Sequence, residues 1–263
     1  MKRYLKILSI LMRNAVIRDS KIPGFVAVSI LQELISIVVN IVFFDVIFSN
    51  IDSLAGWSFY QVLFLYAFSK TVASLSYAFT RYGLKDMGAN MVKRGEFDFY
   101  LAKPIDTMWL VSFSRPKPTK LIAVLFYAAL GVFCVFKAGI PVGIDNILWF
   151  ALLFLVALIL FYFLEIITIV PAFKLIRVWS LPNITPRLSE FMRYPIGIFS
   201  LPLQAILYVV FPIIAASYIP SSALFYPPKL ISSVYLVLIT AVFFIIVRGS
   251  WRWGERNYSS ASS

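Results

Sequence analysis

The stretch ILWFALLFLVALILFYFLEIITIVPAF, residues 147–173, decides the class of fold to which this chain belongs. Glu165 is its one charged residue, and almost everything else in it is apolar. A helix needs about 20 consecutive apolar residues to cross the hydrocarbon core of a bilayer, so this stretch is long enough to cross with some tilt. It therefore predicts a transmembrane helix.

The rest of the chain has the same character. Of its 263 residues, 61% are apolar and 14% are charged, and the mean hydropathy is +0.88, far from the average of soluble domains. This composition predicts an all-α integral membrane protein with one transmembrane domain over residues 1–263. We expect spans at 25–48, 57–79, 121–140, 147–173, 196–218 and 230–247.

The residue types also weigh against several kinds of chemistry. Histidine is absent and Cys134 is the one cysteine, so the commonest general base, the commonest metal ligand and an internal disulfide are all missing. The sequence contains no G-x-x-x-x-G-K-[ST], G-x-G-x-x-G or H-E-x-x-H motif. We therefore predict no catalytic residue, no metal site and no cofactor in this chain. Energy for any transport would come from a partner or an ion gradient.

Positive charge predicts the orientation of the spans. The formal net charge is +12, and 21 of the 24 Lys and Arg residues lie in the segments 1–22, 81–120, 174–193 and 248–256. Under the positive-inside rule these segments, and both termini, are cytoplasmic in a multi-pass protein of the cell (inner) membrane. Because the charges lie between apolar blocks, we expect contact with membrane lipids and not with nucleic acid.

The two ends of the chain are expected to differ. Residues 1–22 predict an amphipathic helix in the plane of the membrane, with Tyr4, Leu8 and Leu11 on one face and Lys6 and Arg13 opposite. Residues 254–263 are polar and rich in serine, so they predict a disordered tail.

Four ionisable residues fall within or near the predicted spans: Glu33, Asp45, Lys70 and Glu165, of which Asp45 lies near the outer end of its span. A charged side chain at the centre of a bilayer costs about 2.5–3.5 kcal/mol, so each should face protein or water. Glu33, Lys70 and Glu165 could form a path for ions in an ATP-independent secondary transporter or channel. Alternatively, Lys70 pairs with Glu33 or Glu165 and the pair stabilises the bundle. The residues leave both interpretations open.

The basic segment 81–120 contains VKRGEFDFYLAKPID at residues 92–106, where acidic and aromatic residues interrupt the basic run. Gly95 and Pro104 bound a short helix in which Phe97 and Leu101, four residues apart, would share one side. That side could dock into a groove on a partner protein, or it could pack back against the ends of the spans. The pattern favours neither.

The fifth apolar block, 196–218, is interrupted by Pro202 and Pro212 and continues into YIPSSALFYPP at residues 218–228. Proline removes a backbone donor, so a straight helix is not expected here. The block predicts a kinked or re-entrant helix.

With these features in place, the chain resembles the ATP-binding cassette (ABC) type-2 permease family. The likeness rests on the loop pattern G-x-[FL]-D-x-x-L-x-[KR]-P, matched by Gly95, Phe97, Asp98, Leu101, Lys103 and Pro104, and on the proline-rich block YPIGIFSLPL…FPIIAASYIPSSAL. It covers nearly the whole chain.

The resemblance implies the permease subunit of an ATP-driven exporter, paired with a second six-span permease, identical or related, and with cytoplasmic ABC ATPase subunits. Residues 91–101 would be the coupling helix and residues 1–22 a connecting helix. The residues implied to couple to the ATPase are Met91, Arg94, Gly95, Glu96, Phe97, Asp98, Leu101, Lys103 and Pro104. Pro212, Pro220 and Pro227 would belong to an outer gate.

Overall fold

The computed structural model describes residues 2–21, 24–175 and 181–258 of the chain. Its α-helices are α1 (Lys2–Ser20), α2 (Phe25–Phe48), α3 (Phe59–Phe79), α4 (Arg81–Asp86), α5 (Asp98–Leu101), α6 (Thr107–Ser112), α7 (Lys120–Lys137), α8 (Ile144–Ile169), α9 (Ile184–Ser189), α10 (Leu201–Ala205), α11 (Ala215–Phe225) and α12 (Leu230–Asn257). Short 3₁₀ or π turns cover Met87–Met91, Val170–Phe173, Leu181–Asn183, Glu190–Arg193, Ile196–Ile198 and Ile206–Val210. The described residues form no β-strand, which confirms the all-α class.

Five helices in the described ranges are long and apolar enough to cross a membrane. They are Val26–Phe48, Phe59–Phe79, Lys120–Lys137, Ile144–Phe173 and Leu230–Asn257. A sixth crossing results if Leu201–Val210 and Ala215–Phe225 count as one span, although the two are bent by 99° relative to each other. The chain is thus a multi-pass helical membrane protein, while the division into six spans stays a prediction.

Helix α3 lies at the centre of the bundle. In its most apolar stretch of 18 residues, 67% of the residues are buried. Its main neighbour is α7, and α8 packs against both α11 and α12. By contrast, no residue in the most apolar 18-residue stretch of α2 is buried. Helix α2 is therefore peripheral and presents most of its apolar surface outward.

Local sequence explains where several helices begin and end. Helix α3 starts with a capping box, in which the backbone N–H of Ser58 donates to Oε1 of Gln61 at 2.8 Å. Helix α7 ends at Lys137, earlier than the predicted limit of 140, because Gly139 adopts a φ of +67° and Pro141 follows.

The fifth predicted span, 196–218, does not form one straight helix, in line with the prediction of a kinked or re-entrant segment. The chain forms α10, the π turn Ile206–Val210, a sharp bend and then α11, which continues to Phe225. Pro212 lies in the bend, where its missing N–H removes a helical hydrogen bond. The interpretation of a kinked or re-entrant segment describes this region better than a straight span does.

The disordered tail was predicted to begin at residue 254, but residues 254–257 belong to α12. Helix α12 continues to Asn257 because its last turns pack against Phe173: the Trp251 ring lies 5.2 Å from that of Phe173. At Gly254 a Cβ would come within 2.2 Å of the same ring. The rest of the predicted tail from 259 onward, like Met1 and Ile22 at the ends of the predicted helix 1–22, lies outside the described residues.

Candidate functional site

The segment 81–120 is a folded cap on one end of the bundle and not an extended loop. Helix α4 follows α3 after the single residue Thr80, a π turn follows it, and Gly95 then reverses the chain with a φ of +71°. The backbone N–H of Phe97 closes this reversal by donating to the carbonyl of Met91 at 3.3 Å. A residue with a Cβ is strained at such a positive φ, which accounts for glycine here.

Phe97 is buried in an aromatic cluster and does not lie on an exposed face. Its side chain is 0% exposed, and its ring lies 5.1 Å from Phe173 at the end of α8, 6.5 Å from Trp251 of α12 and 5.1 Å from Tyr258. Met91 is likewise 0% exposed. Phe97 and Leu101 therefore do not share one side, because α5 begins only at Asp98 and Phe97 turns inward before it; of the two interpretations, Phe97 follows the one that packs back against the ends of the spans.

The outer surface of the 91–104 turn carries a different apolar pair. Phe99 is 71% exposed and Leu101 is 41% exposed. Arg94, Lys103 and Pro104 of the same turn are also exposed. The sequence analysis did not identify Phe99. The spacing of four residues between Phe97 and Leu101 suggested a helix that begins one turn before Asp98, where α5 begins.

Glu96 and Asp98 lie at the edge of the same turn and are partly buried. Glu96 is 3.7 Å from the guanidinium of Arg94, an exposed ion pair of small energetic weight. Asp98 begins α5, where a carboxylate suits the positive end of the helix.

Asp106 connects a helix of the cap, α6, to α12, a role that no sequence pattern indicated. One carboxylate oxygen accepts a hydrogen bond from the backbone N–H of Trp109 at 2.9 Å and so caps α6. The other accepts from Arg248 of α12 at 2.6 Å. A single side chain thus holds α6 and α12 together.

Helix α1 contacts the cap near both of its ends. The ring of Tyr4 meets that of Trp109 edge to face at 4.9 Å, Ala15 is buried, and Arg18 donates to the carbonyl of Pro116 at 3.1 Å. One face of the predicted amphipathic helix is therefore occupied by protein.

Gly83 allows α4 to approach α6 closely. A Cβ at this position would lie 2.2 Å from the carbonyl oxygen of Val111, which is backbone and cannot move aside like a side chain. We expect Gly83→Ala to lower the free energy of unfolding by roughly 1–3 kcal/mol, a decrease of several degrees in Tm in detergent. Gly249→Ala in α12 is the matched control, since nothing lies within 4 Å of its Cβ and alanine favours a helix. Equal Tm values for the two variants would contradict this packing.

A buried ion pair joins the cap to the spans. Arg81 and Glu165, whose side chains are 6% and 0% exposed, approach to 3.9 Å. Glu165 also accepts hydrogen bonds from Ser76 at 2.5 Å and Thr80 at 3.3 Å, and Arg81 donates to the carbonyl of Pro182. The pair therefore links the α3–α4 junction, α8 and the segment around Pro182.

The predicted partners of Lys70 were wrong. Lys70 pairs with Glu190 at 2.8 Å, and Glu33 pairs with Lys120 at 2.8 Å and accepts from the Tyr127 hydroxyl at 2.9 Å. The reason is the turn Glu190–Arg193, which folds against α3 and brings an acid that the sequence pattern had placed in a surface loop.

Both of these ion pairs line one polar cavity of about 210 Å³ between α2, α3, α7 and the Glu190 turn. Glu165 is not among its lining residues. The structure thus brings Glu33 and Lys70 together and leaves Glu165 in a separate cluster, so the three do not form the single path that an ion-conducting interpretation needs.

The three prolines expected near the outer gate occupy different environments. Pro212 is buried in the bend, Pro220 is buried within α11, and Pro227 is exposed beyond the end of that helix. Asn146 at the start of α8 donates to the carbonyls of Ala223 and Tyr226 at 2.9 and 3.0 Å. The end of α11 is therefore fixed to the beginning of α8.

Comparison with known proteins gives one match. A family model described as "ABC-2 family transporter protein" matches residues 34–262, which is most of the chain. The matched range begins within α2 and includes the cap, the bent helix pair and α12. No curated protein matches the chain.

Proposed function

Because the chain belongs to the ABC-2 family of transporter proteins, we propose that it is the permease of an exporter, driven by a separate ATPase through the 91–104 turn. Membership makes it a membrane-embedded permease subunit of an ABC transporter, a non-catalytic part that associates with an ABC ATPase. Export is the direction that the family resemblance implies.

The observation that carries this proposal is the contrast between the two faces of the turn. Phe99 and Leu101 are both exposed, whereas Phe97, two residues before Phe99, is buried between the ends of α8 and α12. An exposed apolar pair with a basic rim suits a groove on a partner, and a rigid aromatic anchor behind it suits the transmission of force.

Three contacts join the cap that carries the turn to the spans. Phe97 contacts the ends of α8 and α12, Asp106 binds Arg248 of α12, and Arg81 binds Glu165 of α8. Movement of the turn toward or away from the ATPase would displace the ends of these two helices together. Helix α8 in turn packs against α11, which leads to the proposed outer gate.

The remaining residues have supporting roles in this proposal. Met91 and Gly95 shape the turn, Pro104 ends it, and Arg94, Glu96, Asp98 and Lys103 form its polar rim. Helix α1 would be the connecting helix along the membrane, and both termini would be cytoplasmic. The outward apolar surface of α2 supports pairing with a second permease, identical or related.

The decisive test is the double variant Phe99→Asp/Leu101→Asp. Interface residues of this kind contribute about 2 kcal/mol or more each, so the two charges should reduce ATPase retention at least tenfold. The full chain is purified in mild detergent, and vanadate-sensitive ATP hydrolysis is measured per mole of permease in the eluate. Tm should stay within about 2 °C of the unmodified protein, because both side chains are exposed.

Leu175→Asp provides the control, since Leu175 is a 54% exposed aliphatic residue that follows the Val170–Phe173 turn. It should retain the ATPase. If the double variant retains as much ATPase as the unmodified protein, or if Leu175→Asp loses as much, docking through the turn is wrong.

A further inference from the structure

A basic cleft lies between α1 and the cap, apart from the 91–104 turn and the polar cavity. It has a volume of about 410 Å³, and its lining includes Arg18, Lys85, Arg115, Lys117, Asp86 and Asn90. These four basic residues and one acid leave a net charge of +3 on the lining. A volume in the range of about 300–1,000 Å³ suits a small organic group better than a single ion.

The one acid in the cleft cannot balance this charge. Asp86 already accepts from the Asn90 amide at 2.8 Å and forms an ion pair with Arg115 at 2.7 Å, so its role is to hold Arg115 in place. Arg18 has a neighbouring acid outside the lining, Asp19, at 3.2 Å. Its guanidinium nevertheless stays 53% exposed, and that of Arg115 50% exposed.

The chemistry of the lining favours a phosphate group. Arginine presents paired N–H donors that match phosphate oxygens, and lysine adds a compact charge. Lys117 is held 4.8 Å over the ring of Tyr82, which also lines the cleft. The donors thus come from α1, α4 and the segment before α7, and an anion would join these three elements.

The cleft lies at the depth of lipid headgroups if the long helices cross the membrane. Lys117 precedes the start of α7 at Lys120, and Lys85 lies two turns beyond the end of α3 at Phe79. Six residues of helix correspond to about 9 Å, comparable with the headgroup layer outside a hydrocarbon core of ~30 Å.

We propose that the basic cleft binds the phosphate of an anionic membrane lipid. The site would fasten α1 to the cap through the lipid headgroup, with the acyl chains lying beside the spans. This inference concerns the lipid alone and does not depend on coupling to the ATPase.

The test compares lipid occupancy by native mass spectrometry. The full chain is held in micelles with a small mole fraction of phosphatidylglycerol. The micelle surface then carries little charge and does not attract basic residues outside the cleft. Arg18→Gln/Lys85→Gln should weaken occupancy about fivefold for each basic residue removed, or roughly 25-fold in all. Arg18→Lys/Lys85→Arg keeps both charges and should restore most of the binding, which separates loss of charge from misfolding.

Lys2→Gln/Arg13→Gln is the matched control, because it removes the same charge from exposed positions of α1 outside the cleft. It should change occupancy less than twofold. Equal weakening in the control would overturn the site. Equal binding of diacylglycerol, which lacks phosphate, would also overturn it, and displacement by inorganic phosphate at matched concentration would assign the cleft to soluble anions instead of lipid.

Discussion

Glu165→Leu is expected to lower the free energy of unfolding by about 3–5 kcal/mol, because it leaves the Arg81 guanidinium buried without its counter-charge. Arg81 would keep the carbonyl of Pro182 and the ring of Tyr77 but no carboxylate partner, and the hydroxyls of Ser76 and Thr80 would lose the carboxylate as an acceptor. In a membrane domain of this size the loss corresponds to a decrease in Tm of roughly 10 °C. Thermal unfolding of the purified chain in detergent measures it.

The double variant Arg81→Met/Glu165→Leu distinguishes loss of the ion pair from loss of side-chain packing. Removing both charges at once takes away the desolvation cost of each, so this variant should recover a large part of the stability lost by either single change. Glu96→Gln, which breaks the exposed contact with Arg94, should change stability by less than about 0.5 kcal/mol. A double variant no more stable than Glu165→Leu would show that the two charges are not coupled.

Phe97→Ala is expected to be nearly as damaging, with a loss of about 3–5 kcal/mol from an aromatic side chain removed from a closed cluster. The cavity would lie between Phe173, Trp251 and Tyr258, so the ends of α8 and α12 would loosen together. The measurement is Tm in detergent, followed by ATPase retention below that temperature.

Phe99→Ala is the matched control for this change, since it removes the same side chain from an exposed position two residues away. Its Tm should stay within about 2 °C of the unmodified protein. If Phe97→Ala left Tm unchanged and abolished ATPase retention, Phe97 would face the partner and the aromatic cluster would have no structural role.

The apolar blocks and prolines were sufficient to predict much of the fold. Blocks of 20 or more apolar residues became helices, and Pro212 marked the place where the fifth block bends by 99°. The end of α12 was missed because GERN is polar in composition, yet Trp251 and Gly254 hold this turn against Phe173. Composition does not report such a tertiary contact.

The position of the turn at the candidate site could be predicted from the sequence, but which of its side chains are buried and which are exposed could not. Gly95 and Pro104 identified the turn correctly, while the register that buries Phe97 and exposes Phe99 depends on where α5 begins. The partners of Lys70 and Arg81 were hidden for a different reason. Each pair joins residues distant in sequence, 120 positions apart for Lys70 and Glu190, and no local pattern determines which segments meet.

The pairing of Lys70 with Glu190 has a consequence for how the chain is made. The two residues are 120 positions apart, and α3, which carries Lys70, is the most deeply enclosed span. At about 5–20 residues per second, synthesis reaches Glu190 roughly 6–24 s after Lys70. During that interval the ammonium group lacks this partner, and α3 lacks α8 and α11 as neighbours. Helix α2 can enter lipid as soon as it is made, whereas α3 must wait at the insertion machinery or at the bilayer surface.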